Sequence, residues 1–413
     1  MQYLFDRHQS MLRTVENLKS RPLSEHIAWE NPFNALLGSR GVGKTTLLLQ
    51  RIIQLGLPPH ESLYIELGDL YFQEYRLQDF IRQFVEGGGK YLFIDEVHRY
   101  GYGSWAQEIK QAYDLYHREL KLTFTGSSAI RILKEKADLS RRVLQHRIPG
   151  LSFREYLWLS EKKTLPILSL KEILNDHDKL ANELIGDYKL KPIAKLSDYY
   201  KFGYYPIYLH EPQGYLAKLN SMIELVLEAD LPKVIDQGTA PYQALGRLLF
   251  AIASSAPFTP NTSKLASRLG INRATLVRYL DILDRADLTI SLRKAGKGVS
   301  TLAKPDKLYL NNTNLLYALS PHSSNLGTLR ETFFLNQLRY LTYENHLLPP
   351  EVRLPKKGDF LLQTRSNDFL FEVGGRNKTL TQIGEEEHHY AVVDREFSHQ
   401  KNRIPLWLFG MLY

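Results

Sequence analysis

Eight residues, Gly38–Thr45 (GSRGVGKT), constrain this chain more than any other stretch. They fit the spacing GxxxxGKT and lie between the apolar run FNALL and the helical pattern TTLLLQRII. A strand that feeds such a loop and a helix that leaves it form the setting in which glycines let the backbone curl around phosphate with its N–H groups inward. This reading gives Gly38, Ser39, Arg40, Gly41, Val42, Gly43, Lys44, Thr45 and Thr46 to the phosphates of a nucleotide. Lys44 is expected to neutralise charge at the β- and γ-phosphates, and Thr45 to offer its hydroxyl to Mg²⁺. ATP and Mg²⁺ are the expected cofactors.

Four β-type runs, FNALL, SLYIEL, KYLFIDE and KLTFTG, alternate with segments of 3.6-residue period between Asn31 and about Ser160. The alternation predicts an α/β fold with a parallel sheet, and the near-continuous apolar runs predict strands covered on both faces. About fifty residues beyond the P-loop, YLFIDE sets two acids where a strand reaches the carboxyl edge of the sheet, the edge at which open α/β sheets bind ligands. Asp95 is expected to hold Mg²⁺ through water and Glu96 to orient or deprotonate the attacking water, which argues for hydrolysis rather than nucleotide sensing alone. The run KLTFTGSS ends in hydroxyls, so Ser127 or Ser128 would bridge the γ-phosphate and that water. In ADLSRR, Arg141 or Arg142 would serve as an arginine finger, reaching the site of a neighbouring subunit and implying a homo-oligomer.

With GSRGVGKTT, FIDEVHRY, TGSSA and above all DLSRRVLQHRIPGLSFREYL in view, the chain resembles prokaryotic AAA+-type ATPases of the AAA_14 group that carry a C-terminal DUF4143 domain. The resemblance implies that Arg142 takes the family's arginine and Ser127 its sensor position. GLSFREY stands for a Pro-Leu-Ser-Phe-like segment followed by an acid, with Gly150 where the family has proline. KFGYYPIYL is similar to the family's glycine-proline motif ahead of its second half.

Composition bounds the remainder. A chain of 413 residues, 43% apolar, is too long for one ordinary core. It has no cysteine, which excludes disulfides, thiolate zinc sites and cysteine nucleophiles and accords with a cytoplasmic setting. The N-terminus reads as an amphipathic helix rather than a secretory signal, and no window reaches the roughly 20 apolar residues of a membrane span. Glu385–Glu387 followed by His388 and His389 reads as a solvated helix face, not a metal site.

Between Ala240 and Leu310 stand eleven Lys and Arg against four Asp, so this one stretch carries seven of the net +8 charges. A regional excess is what phosphate-backbone binding needs, and equally what docking onto an acidic neighbour needs. There FTPNTSKLASRLGINRATLVRYLDILDRADL reads as a helix-turn-helix, followed by a hairpin with a basic tip, TISLRKAGKGVSTLAKPDKLYL: a winged helix. Arg273 and Arg278, with Arg285, are the groove-facing candidates, and Arg293, Lys294 and Lys297 the wing-tip candidates for DNA phosphate.

At the C-terminus, GDFLLQTRSNDFLFEVGGRNKT resembles the PD-(D/E)XK nuclease fold, in which a helix glutamate, an aspartate and Glu-x-Lys converge on Mg²⁺. The resemblance gives Glu331, Asp359 and Glu372 as the acids. Gly374 stands where the lysine is expected, leaving Lys378 to migrate into the role, so the expectation is a domain degenerate in cleavage and used for packing, DNA holding or partner binding.

The predicted architecture is therefore an α/β P-loop NTPase domain with a parallel sheet (1–160), a helical connector (161–234), a winged-helix domain (235–320) and a C-terminal α+β nuclease-like domain (321–413). The expected activity is Mg²⁺-dependent ATP hydrolysis near nucleic acid. Its rivals are a nucleotide-gated regulatory or defence-type switch with slow turnover, and a simple winged-helix DNA-binding regulator.

Overall fold

The computed structural model describes residues 2–101, 103–128, 139–232, 242–294, 304–320, 325–339, 341, 350–380, 384 and 386–413. The chain divides into two compact units, residues 1–150 with 228–237, and residues 151–227 with 238–413.

In the first unit the four apolar runs become β1 (Phe33–Gly38), β2 (Ser62–Glu66), β3 (Tyr91–Asp95) and β4 (Lys121–Ser127). Every residue of β1 is buried, as a strand covered on both faces should be. A fifth strand, β5 (Leu144–Arg147), completes a wholly parallel sheet of order β2-β3-β4-β1-β5. Sequence patterning misses β5 because LQHR is polar and half-exposed: it is an edge strand that pairs with β1 alone. Since β4 lies between β1 and β3, the carboxyl ends of the P-loop strand, the hydroxyl-bearing strand and the acidic strand stand side by side, with Gly38 in register with Ser127.

Helix α1 (Gln2–Arg13) packs on the edge strand β2, where His8 Nδ1 accepts the N–H of Tyr64 at 2.9 Å. Helix α2 (Lys44–Leu55) opens directly from the P-loop and packs along the sheet. Helices α3 (Leu77–Glu86) and α4 (Trp105–Tyr116) pack on each other. Phe33, Leu63, Phe80, Ile94, Ile109 and Leu122 are essentially inaccessible within one continuous core. Each contributes on the order of 1.5–3 kcal/mol by leaving water, and together they fix where the strand ends stand.

The second unit begins with helices α5 (Phe153–Glu161), α6 (Leu170–Asp187), α7 (Pro192–Phe202) and α8 (Tyr215–Leu225). GLSFREY proves to be a helix start. Ser152 Oγ accepts the Glu155 N–H at 3.1 Å and Glu155 Oε2 accepts the Ser152 N–H at 3.2 Å, a reciprocal capping box. Phe153 then seats edge-on against Tyr199 and Phe333.

Helices α9 (Tyr242–Ser254), α10 (Thr262–Leu269) and α11 (Arg273–Arg285) lead into the antiparallel pair β6 (Thr289–Leu292) and β7 (Lys307–Leu310), and Phe258 bridges to Leu308 as a short third strand. The caps are as the sequence indicates: Asn261 accepts from Lys264 N, Gly270 closes α10 at φ 66°, and Asn272 accepts from Thr275 N.

After α12 (Thr313–Leu319) and α13 (Leu326–Leu338) comes a mixed sheet of order β12-β11-β10-β9-β8. Its strands are β8 (Glu351–Arg353), β9 (Phe360–Gln363), β10 (Asp368–Gly374), β11 (His389–Val393) and β12 (Arg403–Pro405). Helix α13 packs on β10, and Phe334, Phe371 and Phe409 make the aromatic centre. The acid-and-histidine run is not a helix face: residues 387–388 turn and His389 opens β11, because Tyr390–Val393 supplies a buried strand that the chain must enter at once. Among the described residues no helix is long and apolar enough to cross a membrane.

Candidate functional site

The P-loop is held from both sides before any ligand is considered. A Cβ on Gly38 would lie 2.2 Å from the carbonyl oxygen of Ile148, so only glycine lets the chain after β5 pass there. Gly41 and Gly43 take φ of 82° and 91°, the left-handed region, and Gly43 caps α2. The buried guanidinium of Arg21, unremarked in the sequence, donates to the carbonyls of Val42 (3.0 Å), Pro149 (2.9 Å) and Gly150 (3.0 Å) and ties the loop to the strand exit.

Lys44 folds over the loop and donates to the carbonyls of Gly38 and Ser39, both at 2.9 Å. Burial pushes this ammonium down to about 8, even though the carboxylates of Asp95, Glu96 and Asp230 pull the other way. Thr45 Oγ1 donates to Asp95 Oδ2 at 2.7 Å, so the hydroxyl and carboxylate expected at Mg²⁺ are already joined. Asp95 is nearly inaccessible and is gripped further by Tyr64 OH (3.0 Å) on its Oδ2 and by the Thr125 hydroxyl on its Oδ1. Thr125 also accepts the Glu96 N–H at 3.0 Å. Tyr64 and Thr125 come from the strands flanking β3, and no motif spacing marks them.

Glu96 sits at φ 51°, an unusual conformation for a non-glycine residue, immediately after β3. Its carboxylate is 3.6 Å from Arg40 Nη1 and 3.2 Å from Arg99 Nε. Ser127 and Ser128 are both buried at the end of β4, beside Gly38. Arg142 does not reach this cluster within its own chain, because its guanidinium pairs with Asp114 on α4 at 2.7 Å, while Arg141 is exposed. The structure therefore brings Gly38, Ser39, Arg40, Lys44, Thr45, Asp95, Glu96 and Ser127 to one sheet edge and leaves Arg142 apart.

In the second unit, Arg273 and Arg278 are exposed along α11. Arg293 and Lys294 follow directly on β6, ahead of residues 295–303, which lie outside the described residues. The Arg293 carbonyl accepts the Leu354 N–H at 2.8 Å and the Lys294 backbone bridges Leu354, one residue beyond β8, while the Lys294 side chain is exposed. Lys297 lies outside the described residues.

At the C-terminal sheet, Lys378 Nζ is 3.1 Å from Glu372 Oε2 and 3.9 Å from Asp359 Oδ2, and Asp359 Oδ2 accepts the Val373 N–H at 2.8 Å. A Cβ on Gly374 would meet Lys378 Cδ, Cγ and Cβ at 2.8, 2.9 and 3.0 Å, so the lysine stem crosses the bare backbone of that glycine. Glu331 accepts from Lys307 Nζ at 3.0 Å and Tyr309 OH at 2.5 Å, and Tyr309 also feels the charge of Asp359. Among the described residues no three metal-ligating side chains gather around one point.

Residues 30–157 match the sequence model of an AAA domain, AAA_14. Residues 193–326 match a domain of unknown function, DUF8612, a different label from the DUF4143 implied by the sequence resemblance. An uncharacterised protein of Methanocaldococcus jannaschii, MJ1637, is 27% identical over 284 residues, 66% of this chain and 59% of that protein, so the match spans less than two thirds of that relative's length. Among solved structures, the Thermotoga maritima RuvB Holliday junction branch migration motor is similar at 17% identity, covering 69% of this chain and 89% of that one with a TM-score of 0.26. AMPPCP-bound DnaA from Aquifex aeolicus is similar at 16% identity over 67% of this chain and 86% of its own, TM-score 0.25. Superpositions this loose carry no argument about either fold or function. The chain thus carries an AAA domain on a five-stranded parallel P-loop-like sheet, followed by a helical region and a mixed-sheet domain.

Proposed function

We propose that this protein binds ATP with Mg²⁺ and hydrolyses it at the carboxyl edge of the parallel sheet. One observation carries the reading: Thr45 and Asp95, fifty residues apart in sequence, are hydrogen-bonded at 2.7 Å beside a glycine loop whose lysine donates to the carbonyls of Gly38 and Ser39. A triphosphate would give Lys44 negative charge to offset its burial, and Mg²⁺, held by Thr45 and Asp95, would neutralise phosphate charge there. Thr45 and Asp95 hold the ion, Asp95 stays oriented through Tyr64 and Thr125, and Glu96 takes the proton of the attacking water. Ser127 positions that water. Arg142 completes the site of a neighbouring copy in a homo-oligomer.

The grip of Arg40 and Arg99 on Glu96 favours a gated machine of slow turnover over a continuous motor, since the base must leave two cations before it acts. Residues 235–320 act as a winged helix that contacts DNA through Arg273 and Arg278. Residues 321–413 are a nuclease-like domain whose Asp359, Glu372 and Lys378 keep their juxtaposition. The test is phosphate release with Mg²⁺: wild type turns over, Lys44→Ala neither binds nor turns over, and Glu96→Gln binds without turnover. Binding without any release by the wild type overturns the hydrolytic reading.

A further inference from the structure

Arg40 leaves the P-loop on the side of Glu96 and divides its guanidinium between two carboxylates. Nη1 is 3.6 Å from Glu96 Oε1 and Nη2 is 3.0 Å from Asp230 Oδ1. Asp230 comes from 190 residues farther along, at the end of a π-helical turn, Val226–Asp230, and only 3% of it is exposed. His98, two residues after Glu96 and with 6% of its side chain exposed, brings Nε2 to 3.5 Å from the same Oδ1.

The group is incompletely satisfied. Arg40 Nε, both ring nitrogens of His98 and Asp230 Oδ2 are buried without a hydrogen-bond partner, four such atoms at one point. Buried polar atoms are rarely left in this state, and a cluster of them beside a phosphate cradle marks a place built for a change of partners. Asp230 is nonetheless held ionised: burial pushes its pKa up, and the nearby His98 ring with the charge of Arg40 brings it below the ordinary range. Lys44 feels the charges of both Arg40 and Asp230, which places all three around the same volume as Asp95 and Glu96.

We infer that Arg40 is a terminal-phosphate sensor acting in cis, parked on Asp230 and Glu96 when that phosphate is absent, with Asp230 and His98 as its positioning residues. The inference rests on the nucleotide reading above and extends it. A γ-phosphate offers Arg40 a stronger, bidentate acceptor than two carboxylates that each take one nitrogen. Moving to it releases Glu96, so the base becomes available only when the group to be cleaved is in place. A diphosphate leaves Arg40 parked.

The test compares ATPγS and ADP binding in wild type, Arg40→Ala, Asp230→Ala and Lys44→Ala, with melting curves for each. Arg40→Ala should weaken ATPγS about 10-fold or more while moving ADP by less than about 3-fold. Asp230→Ala, which removes the competing acceptor, should tighten ATPγS by about 5-fold or more and leave ADP where it was. Arg40→Lys, which keeps the charge without the fork, should recover only part of the discrimination. Equal effects of Arg40→Ala on the two nucleotides, or weaker ATPγS binding in a folded Asp230→Ala, overturn the inference. A wild type that binds neither nucleotide, or that Lys44→Ala does not weaken, overturns the underlying nucleotide reading instead.

Discussion

The partly buried ammonium of Lys44 is expected to make nucleotide affinity depend on pH in a definite direction. In the free protein its pKa is near 8, because burial outweighs the attraction of Asp95, Glu96 and Asp230 while Arg40 repels it. A bound triphosphate brings several negative charges against the same nitrogen and restores an ordinary or higher value, so binding takes up a proton whenever the free lysine has lost one. Affinity should be flat below pH 7 and should fall by close to tenfold per unit above about 8. Between pH 7 and 9.5 the loss is about 30-fold. Titration of a fluorescent ATP analogue across this range measures it, and calorimetry at pH 9 in buffers of different ionisation enthalpy should register proton uptake. Lys44→Arg, with a group that stays charged, should bind more weakly but without the slope. Wild-type affinity unchanged to pH 9.5, with no proton uptake, would refute the reasoning.

Further outcomes follow from other contacts. Burial pushes His8 down to about 4 while the unfolded chain titrates near 6.5, so its contribution to stability is whole above pH 6.5 and is lost as pH falls toward 4, by about 3 kcal/mol; urea midpoints at pH 7 and 4 should show the loss, and His8→Gln should shrink it. Gly374→Ala should force the Lys378 stem off the sheet and destabilise the protein by about 1–3 kcal/mol in urea melts, and any Mn²⁺-dependent DNA cleavage should vanish with Glu372→Gln; identical cleavage in both samples removes the nuclease reading. Duplex DNA binding should weaken with salt, and each of Arg273→Ala and Arg278→Ala should lower the log–log salt slope by about 1; binding indifferent to salt would contradict the DNA reading.

What could be read from the sequence follows the range of the interactions. Strands β1 to β4 are continuous apolar runs, and the P-loop, Asp95 and Ser127 lie at their ends, so local pattern and the rules of parallel sheets suffice to put them on one edge. Strand β5 escaped because an edge strand need not be apolar. Tyr64, Thr125 and Asp230 escaped because each acts on a partner 30 or more residues away through a hydrogen bond that leaves no periodicity. The backbone bridge from Lys294 to Leu354 escaped for a related reason: its partner is sixty residues downstream.

The central claim is that Thr45, Asp95 and Glu96 form a hydrolytic site rather than a binding site alone. Single-turnover phosphate release with Mg²⁺ tests it most directly, on wild type and Glu96→Gln with the protein in excess and at a concentration that binds all the ATP. Release by the wild type, slowed by about 100-fold or more in the variant while ATP remains bound, is the predicted result. Equal release rates in the two proteins, or none from an ATP-bound wild type, would contradict it.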